Sequence, residues 1–314
     1  MINFISNNFS VFLKGIAMGF ADLMPGVSGG TIALILGVYK KLIESIDAIS
    51  VKNFKTLTLD LFWKKINGNF LVSLFTGILS AVFTLSFLID YLIHTYPIAL
   101  WSFFLGLLVN SIFILKRLVN NWSYLNIGLL VLGAIISFFL TQITPKGTDI
   151  GLIYIFFCGF FGIIAMILPG ISGAYILLIL GAYQTIINLI KMALKSLSSF
   201  NLDLLIPIYT KLFIFGFGVL VGLRIFSSIL KWLFDNENDK TMSILIGLMI
   251  GAIHKIWPWQ VIFEVSIGGQ NKLLFRPISP LNYPEDAQLL LATILFLIGA
   301  GLVWILDSQR GKKI

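Results

Sequence analysis

Cysteine, histidine and charge are all scarce in this chain. Its 314 residues include one cysteine and two histidines, and charged residues make up only 11%. A single cysteine, Cys158 in an apolar run, rules out a disulfide framework or a thiolate metal cage. His94 and His254 lie too far apart in sequence to suggest a His-based metal site. Neither a metal nor a cofactor is expected. With 58% hydrophobic residues, the chain carries more apolar surface than a soluble core can hide, so lipid must cover much of it. The net charge of +8 does not point to nucleic acid, because the basic residues stand in short groups at the ends of apolar runs, as membrane-orienting charge does. Stretch 1–20 has no small-residue cleavage site after its apolar part, so it is not read as a removable signal peptide.

Six runs are long and apolar enough to cross a bilayer, given about 20 residues per span: 70–93, 97–115, 124–143, 212–234, the shorter 242–257, and 288–306. Stretch 51–69 mixes Lys52, Lys55, Lys64 and Lys65 with Phe54, Leu57, Leu61, Phe62 and Trp63, which suits an amphipathic helix lying on an anionic leaflet. Segment 259–278 reads as two short strands around Gly268-Gly269, a small hairpin outside the lipid, where open strand edges are tolerated.

Two further apolar regions, 11–46 and 151–190, are each broken by Pro-Gly followed by Ser-Gly. The first reads Ala21-Asp-Leu-Met-Pro-Gly-Val-Ser-Gly-Gly-Thr and the second Ala165-Met-Ile-Leu-Pro-Gly-Ile-Ser-Gly-Ala-Tyr. Pro25 matches Pro169, Gly26 matches Gly170, Ser28 matches Ser172 and Gly29 matches Gly173, all at one offset without a gap; Gly37 and Tyr39 match Gly181 and Tyr183 in the same way. Chance agreement among apolar residues would align Leu and Ile, not this polar core, so the chain is read as a duplication with halves 1–145 and 146–314. Three spans follow each broken segment. If each broken segment is a re-entrant hairpin, each half crosses an odd number of times and the second half is inverted. The expected fold is then an all-α polytopic membrane protein of two inverted repeats, each a re-entrant broken helix pair plus three spans, with a small extramembrane β-hairpin. Both termini would be cytoplasmic, and Lys and Arg would divide 14 inside against seven outside, with Arg224 within a span. Letting both broken segments cross once gives an equally biased tally with the termini outside. The arms favour the hairpin, since one crossing cannot use two helices of about 27 Å each.

Breaking a helix at membrane depth has a chemical consequence. Proline removes an amide donor and glycine frees the backbone, so one half-helix stops and another starts. Amides exposed there cost several kcal/mol each unless a neighbour, water or a ligand answers them. Ser28 and Ser172 stand where a hydroxyl caps the second half-helix. Amides near Ser28, Gly29, Gly30 and Thr31 would face an anion such as phosphate, and Gly26, Gly29 and Gly30 keep the approach open. The bland reading is a pair of kinks packed against small residues on neighbouring helices.

Two charges stand where charge is costly. Asp22, three residues before Pro25, either carries a coupling proton or ion or caps the break amides; its counterpart is the apolar Met166. Arg224 lies some ten residues from either end of 212–234, too deep to snorkel, so it needs a phosphate or a carboxylate such as Asp22. Asp90, His94, Lys116, Arg117, His254 and Lys255 lie near span ends and are read as interfacial.

Taken together, Met18-Gly-Phe-Ala-Asp-Leu-Met-Pro-Gly-Val-Ser-Gly-Gly-Thr, Leu168-Pro-Gly-Ile-Ser-Gly and Trp101-Ser-Phe-Phe-Leu-Gly-Leu make the chain resemble the bacterial polyprenyl-phosphate transporter family (PopT type) over essentially its whole length. The resemblance implies a bacterial plasma-membrane transporter that returns undecaprenyl phosphate from the outer to the cytoplasmic leaflet for cell-envelope synthesis; coupling to protons or sodium is an expectation that rests on Asp22 alone, beside its capping reading. The lipid's headgroup carries about −1.5 charge near neutral pH. The expected substrate site is Pro25, Gly26, Ser28, Gly29, Gly30, Thr31, Pro169, Gly170, Ser172, Gly173 and Arg224, with Asp22 in the coupling role and release as the repeats rock. A membrane-face enzyme would need clustered acid–base or metal groups that the chain lacks. A small-anion channel or an uncoupled lipid scramblase remains open.

Overall fold

The computed structural model describes residues 2–23, 28–50, 53–54, 58–140, 151–196, 202–267 and 270–310. In the first half it gives α1 (Ile2–Asp22), α2 (Gly29–Ile35), α3 (Tyr39–Ala48), α4 (Leu59–Lys65), α5 (Gly68–Thr95), α6 (Pro97–Leu115) and α7 (Tyr124–Leu140). The second half holds α8 (Leu152–Ile167), α9 (Gly173–Ile179), α10 (Tyr183–Ser196), α11 (Leu202–Asn236), α12 (Asn238–Ala252) and α13 (Leu289–Arg310). Between α12 and α13 lies one antiparallel pair, β1 (Gln260–Ile267) and β2 (Gln270–Pro277), in register from Gln260 opposite Pro277 to Ile267 opposite Gln270. Gly268 and Gly269, where its turn is expected, lie outside the described residues.

The apolar helices behave as a lipid solvent requires. Gly68–Leu85, Pro97–Leu118 and Ile206–Asn236 are long and apolar enough to cross a membrane, and Tyr124–Leu140, Leu152–Ile167 and Leu289–Ile305 are shorter apolar helices. Large hydrophobics such as Phe83, Phe87, Phe213 and Leu290 point outward, which is favourable only against acyl chains. Pro97 opens α6, where its preset φ suits a helix and its missing amide leaves nothing unpaired. Two elements differ from their expected lengths. α11 has 35 residues, about 52 Å at 1.5 Å per residue, so it is longer than the hydrocarbon it crosses. α12 stops at Ala252, and a single 3-10 turn, Ile253–Ile256, completes the run expected to be helical to 257. In the amphipathic stretch, α4 exposes Leu59, Leu61 and Trp63 beside Lys64 and Lys65; residues 51–52 and 55–57 lie outside the described residues.

The duplication seen in sequence is carried into local structure. α2 and α9 begin at Gly29 and Gly173, and α3 and α10 at Tyr39 and Tyr183, each pair 144 positions apart. Between those helices Gly37 (φ 70) and Gly181 (φ 68) both take the left-handed backbone that a side chain would disfavour. Each short helix packs against the helix before it, α2 on α1 and α9 on α8. α1 packs on α5 as α8 packs on α11, and a Cβ at Gly15 or Gly159 would strike a carbonyl of the partner helix, Leu74 or Phe215. Small residues thus let these backbones touch, as helices without a hydrophobic drive between them require.

Packing then crosses between the halves. α6 packs on α13 and α7 on α12, so the last helix of each half lies against the middle helix of the other. Glycines set both contacts: Gly106 faces the Phe296 carbonyl, and Gly247 faces that of Leu130. Phe104, Leu115, Leu245, Met249 and Val303, from both halves, share one buried core, while Ile155, Cys158, Ala182 and Ile186 form a smaller one in the second half.

Candidate functional site

The two breaks meet. α1 ends at Asp22, Met24 to Val27 (with Pro25 and Gly26) lie outside the described residues, and the chain reappears at Ser28 in extended backbone, φ −122 and ψ 134. Ser28 Oγ accepts from the Gly30 amide at 3.1 Å, the hydroxyl cap expected at a helix start. The same hydroxyl faces the carbonyls of Met166 (3.3 Å) and Leu168 (3.2 Å) at the end of α8, as donor. In the other direction the Gly170 amide donates to Thr31 Oγ1 at 3.0 Å. Two sequence segments some 140 residues apart are therefore stitched by side-chain hydrogen bonds from one break to the backbone of the other.

Two glycines are required by this closeness. A Cβ at Gly30 would lie 2.4 Å from the Ile167 carbonyl oxygen. At Gly170, φ is +82 and a Cβ would lie 2.7 Å from the Leu248 backbone on α12. The break is a place where three backbones converge with no room for a methyl group.

The charges are arranged unequally. Asp22 reaches across the first break, and its Oδ1 accepts from the Gly29 amide at 2.6 Å. This is the capping geometry, and it puts a carboxylate of the chain itself on an amide at the start of α2. No such group stands at Met166. The second break instead borders a small hollow lined by Gly170, Ser172, Tyr175, Ile176, Leu140 and Lys255. Ser172 Oγ accepts from the Tyr175 amide at a long 3.4 Å. Lys255, read from sequence as interfacial, stacks over the Tyr175 ring with its Nζ 5.0 Å from the centroid. No local signal ties residue 255 to residue 172; only the packing of the 3-10 turn after α12 does. Lys14 of α1 donates to the Leu36 carbonyl at the other end of α2, at 3.1 Å.

Arg224 has a different partner from those the sequence suggested. Among the described residues its partner is not Asp22; its Nη1 binds Asp47 Oδ1 at the end of α3 and Ser228 at 2.6 Å. Lys231 joins at 3.2 Å from Asp47 Oδ2. Asp47, near the end of a broken segment and on the face toward α11, is the carboxylate that residue spacing alone could not single out. The pair ties α3 of the first half to α11 of the second.

A larger cavity, about 710 Å³, lies beside this region between α7 and the end of α12. Its walls are apolar apart from His254, whose Nδ1 lies 2.9 Å from the Gly251 carbonyl.

Comparison with known proteins supplies the family. A family model described as undecaprenyl phosphate translocase-like matches residues 18–273. A polyprenyl-phosphate transporter of Vibrio cholerae serotype O1 is 39% identical over 98% of this chain and 98% of its own. A polyprenyl-phosphate transporter of Staphylococcus aureus is 32% identical over 78% of this chain and 85% of its own. No solved structure matches significantly. With the family model spanning most of its length and the Vibrio relative aligned nearly end to end, the chain belongs to the undecaprenyl phosphate translocase-like family.

Proposed function

We propose that the protein is a flippase that returns undecaprenyl phosphate from the outer to the cytoplasmic leaflet of the bacterial plasma membrane, where the carrier is reused for envelope synthesis. It is a transporter and not an enzyme in this reading. The observation that carries it is the hydrogen-bonded meeting of the two breaks, from Ser28 to Leu168 and from Gly170 to Thr31, inside apolar sequence. Polar backbone gathered at that depth suits an anionic headgroup whose tail stays in lipid. The printed names of the relatives point to the same substrate class.

The topology belonging to this reading is two inverted repeats with both broken segments re-entrant and both termini cytoplasmic. The matched helix starts at 29 and 173 support the repeat, and the two-helix build of each broken segment supports the re-entrant hairpin. The headgroup is held by the Pro25–Thr31 and Pro169–Gly173 stretches, and Arg224, which pairs with Asp47, joins it only by exchanging that carboxylate for the phosphate. Asp22 competes for the same donors: its carboxylate already answers the Gly29 amide. Protonation, or pairing with sodium, removes that competing anion and admits the phosphate, and loss of the proton expels it. This gives Asp22 a coupling role that uses the cap rather than opposing it.

The test is recovery of surface-exposed undecaprenyl phosphate in cells carrying Asp22→Asn, Arg224→Ala or the double change Ser28→Ala with Ser172→Ala. Each is expected to slow recycling by at least about tenfold, equivalent to about 1.4 kcal/mol. Wild-type recycling in all three would remove the site. A reconstituted protein that conducts phosphate or chloride but ignores the lipid would make it a channel.

A further inference from the structure

Three donors on one face of α11 converge on a single carboxylate. Arg224, Ser228 and Lys231 are spaced four and three residues apart, so their side chains stand in one row along the helix. Arg224 Nη1 and Ser228 Oγ (2.6 Å) both donate to Asp47 Oδ1, and Lys231 Nζ donates to Oδ2 at 3.2 Å. Two donors thus share one oxygen while the third takes the other. Farther along the same face Asp235 pairs with Lys40 at 3.2 Å, and Lys40 lies 4.0 Å from Glu44. Arg224, Lys231 and Lys40 therefore meet Asp47, Asp235 and Glu44 in equal number, so another anion enters this seam only in place of one already there. Asp47 is the one placed to yield, because it is the next-to-last residue of α3 and helix ends fray. The row is also open to approach: the side chains of Arg224 and Lys231 are 42% and 41% exposed, against 17% for Asp47. Ile225, Ile229 and Trp232, each one residue farther on, form an exposed apolar row beside it.

We propose that Arg224, Ser228 and Lys231 form a station that selects lipid phosphate monoesters, and that Asp47 occupies it as an internal stand-in until such a headgroup displaces it. The proposal rests on the transport reading, which already brings Arg224 to the headgroup. It adds two further donors, the carboxylate that must leave and a ground for selectivity. A monoester presents three free oxygens and a charge of about −1.5 to −2, so each donor receives an oxygen of its own. A carboxylate offers only two oxygens and a single charge. The phosphodiester of a glycerophospholipid offers the same two and the same single charge, so it gains nothing over Asp47 and does not displace it. The exposed cations need no enclosed cavity to be reached, and the row of Ile225, Ile229 and Trp232 gives the tail an apolar track into lipid.

Binding of radiolabelled undecaprenyl phosphate to the purified full-length protein in detergent tests this, with the methyl ester of the same lipid phosphate as a diester competitor. The monoester is expected to bind at least about tenfold tighter than the diester. Asp47→Asn removes the internal anion and is expected to tighten monoester binding by about tenfold, a change that structural damage does not produce. Lys231→Gln and Ser228→Ala are each expected to weaken the monoester until the two lipids bind within about threefold of each other, while diester binding stays within about twofold. That retained diester binding also reports that the variants are folded. Lys40→Gln, at the far end of the seam, is expected to alter neither affinity. Equal affinity for the two lipids in the wild type overturns the proposal, as does unchanged or weakened monoester binding in Asp47→Asn. An undiminished preference in both Lys231→Gln and Ser228→Ala overturns it as well. Wild-type transport in reconstituted vesicles by variants that keep the preference sinks the station alone; monoester-selective binding without transport sinks the transport reading alone.

Discussion

At the first break a carboxylate of the chain itself sits on the start of the short helix; at the second, a hydroxyl from the other half answers the freed amide, and a lysine stands close by. The backbone plan is the same in both, down to helix starts 144 positions apart. The side chains are not. Asp22 corresponds to Met166, Gly30 to Ala174 and Thr31 to Tyr175. Duplication kept the geometry, which few residue types satisfy, and let charge diverge where geometry tolerates it. One break now holds an acidic group and the other borders a basic one, so the two ends are chemically unequal.

That comparison can be broken by substitution. The largest effect is expected from Gly30→Leu, because its Cβ would meet a backbone carbonyl that cannot move aside; a loss above about 3 kcal/mol, or no folded protein, is expected in thermal unfolding in detergent. The matching Ala174→Leu, at an exposed position, is expected to cost under about 0.5 kcal/mol. Equal costs would mean that the breaks are packed alike. Next comes Thr31→Val, which leaves the Gly170 amide without its acceptor and is expected to cost about 1–3 kcal/mol by the same measurement. The smallest contrast is between the caps. Ser28→Ala, losing a 3.1 Å bond, is expected to cost about 1 kcal/mol, and Ser172→Ala, losing one of 3.4 Å, about half that. A larger loss at Ser172 would reverse the assignment of the tighter cap.

Much of this was legible in the chain because it is written in local signals. Pro-Gly-x-Ser-Gly marks a break wherever it occurs in apolar sequence, and its recurrence exposed the duplication before any coordinates. The β1–β2 pair followed from alternation around Gly268-Gly269. The serine caps followed from their place after the break. What stayed hidden is nonlocal. Asp47 looks like any charge on an amphipathic helix until α3 lies against α11, and Lys255 looks like a rim lysine until the 3-10 turn carries it to Tyr175. The Gly-x-x-x-Gly spacings at Gly15–Gly19, Gly218–Gly222 and Gly247–Gly251 announce tight helix contacts, yet nothing in them says which helix is met.

The crossed packing of α6 with α13 and of α7 with α12 limits how the molecule can move. Sliding one half of the sequence past the other would have to pull apart two seams in which glycine faces carbonyl with no slack. A piece that keeps both seams intact is then a mixed one, built from helices of both halves of the chain. Such a motion would have to unclasp Ser28 and Thr31 from the opposite break.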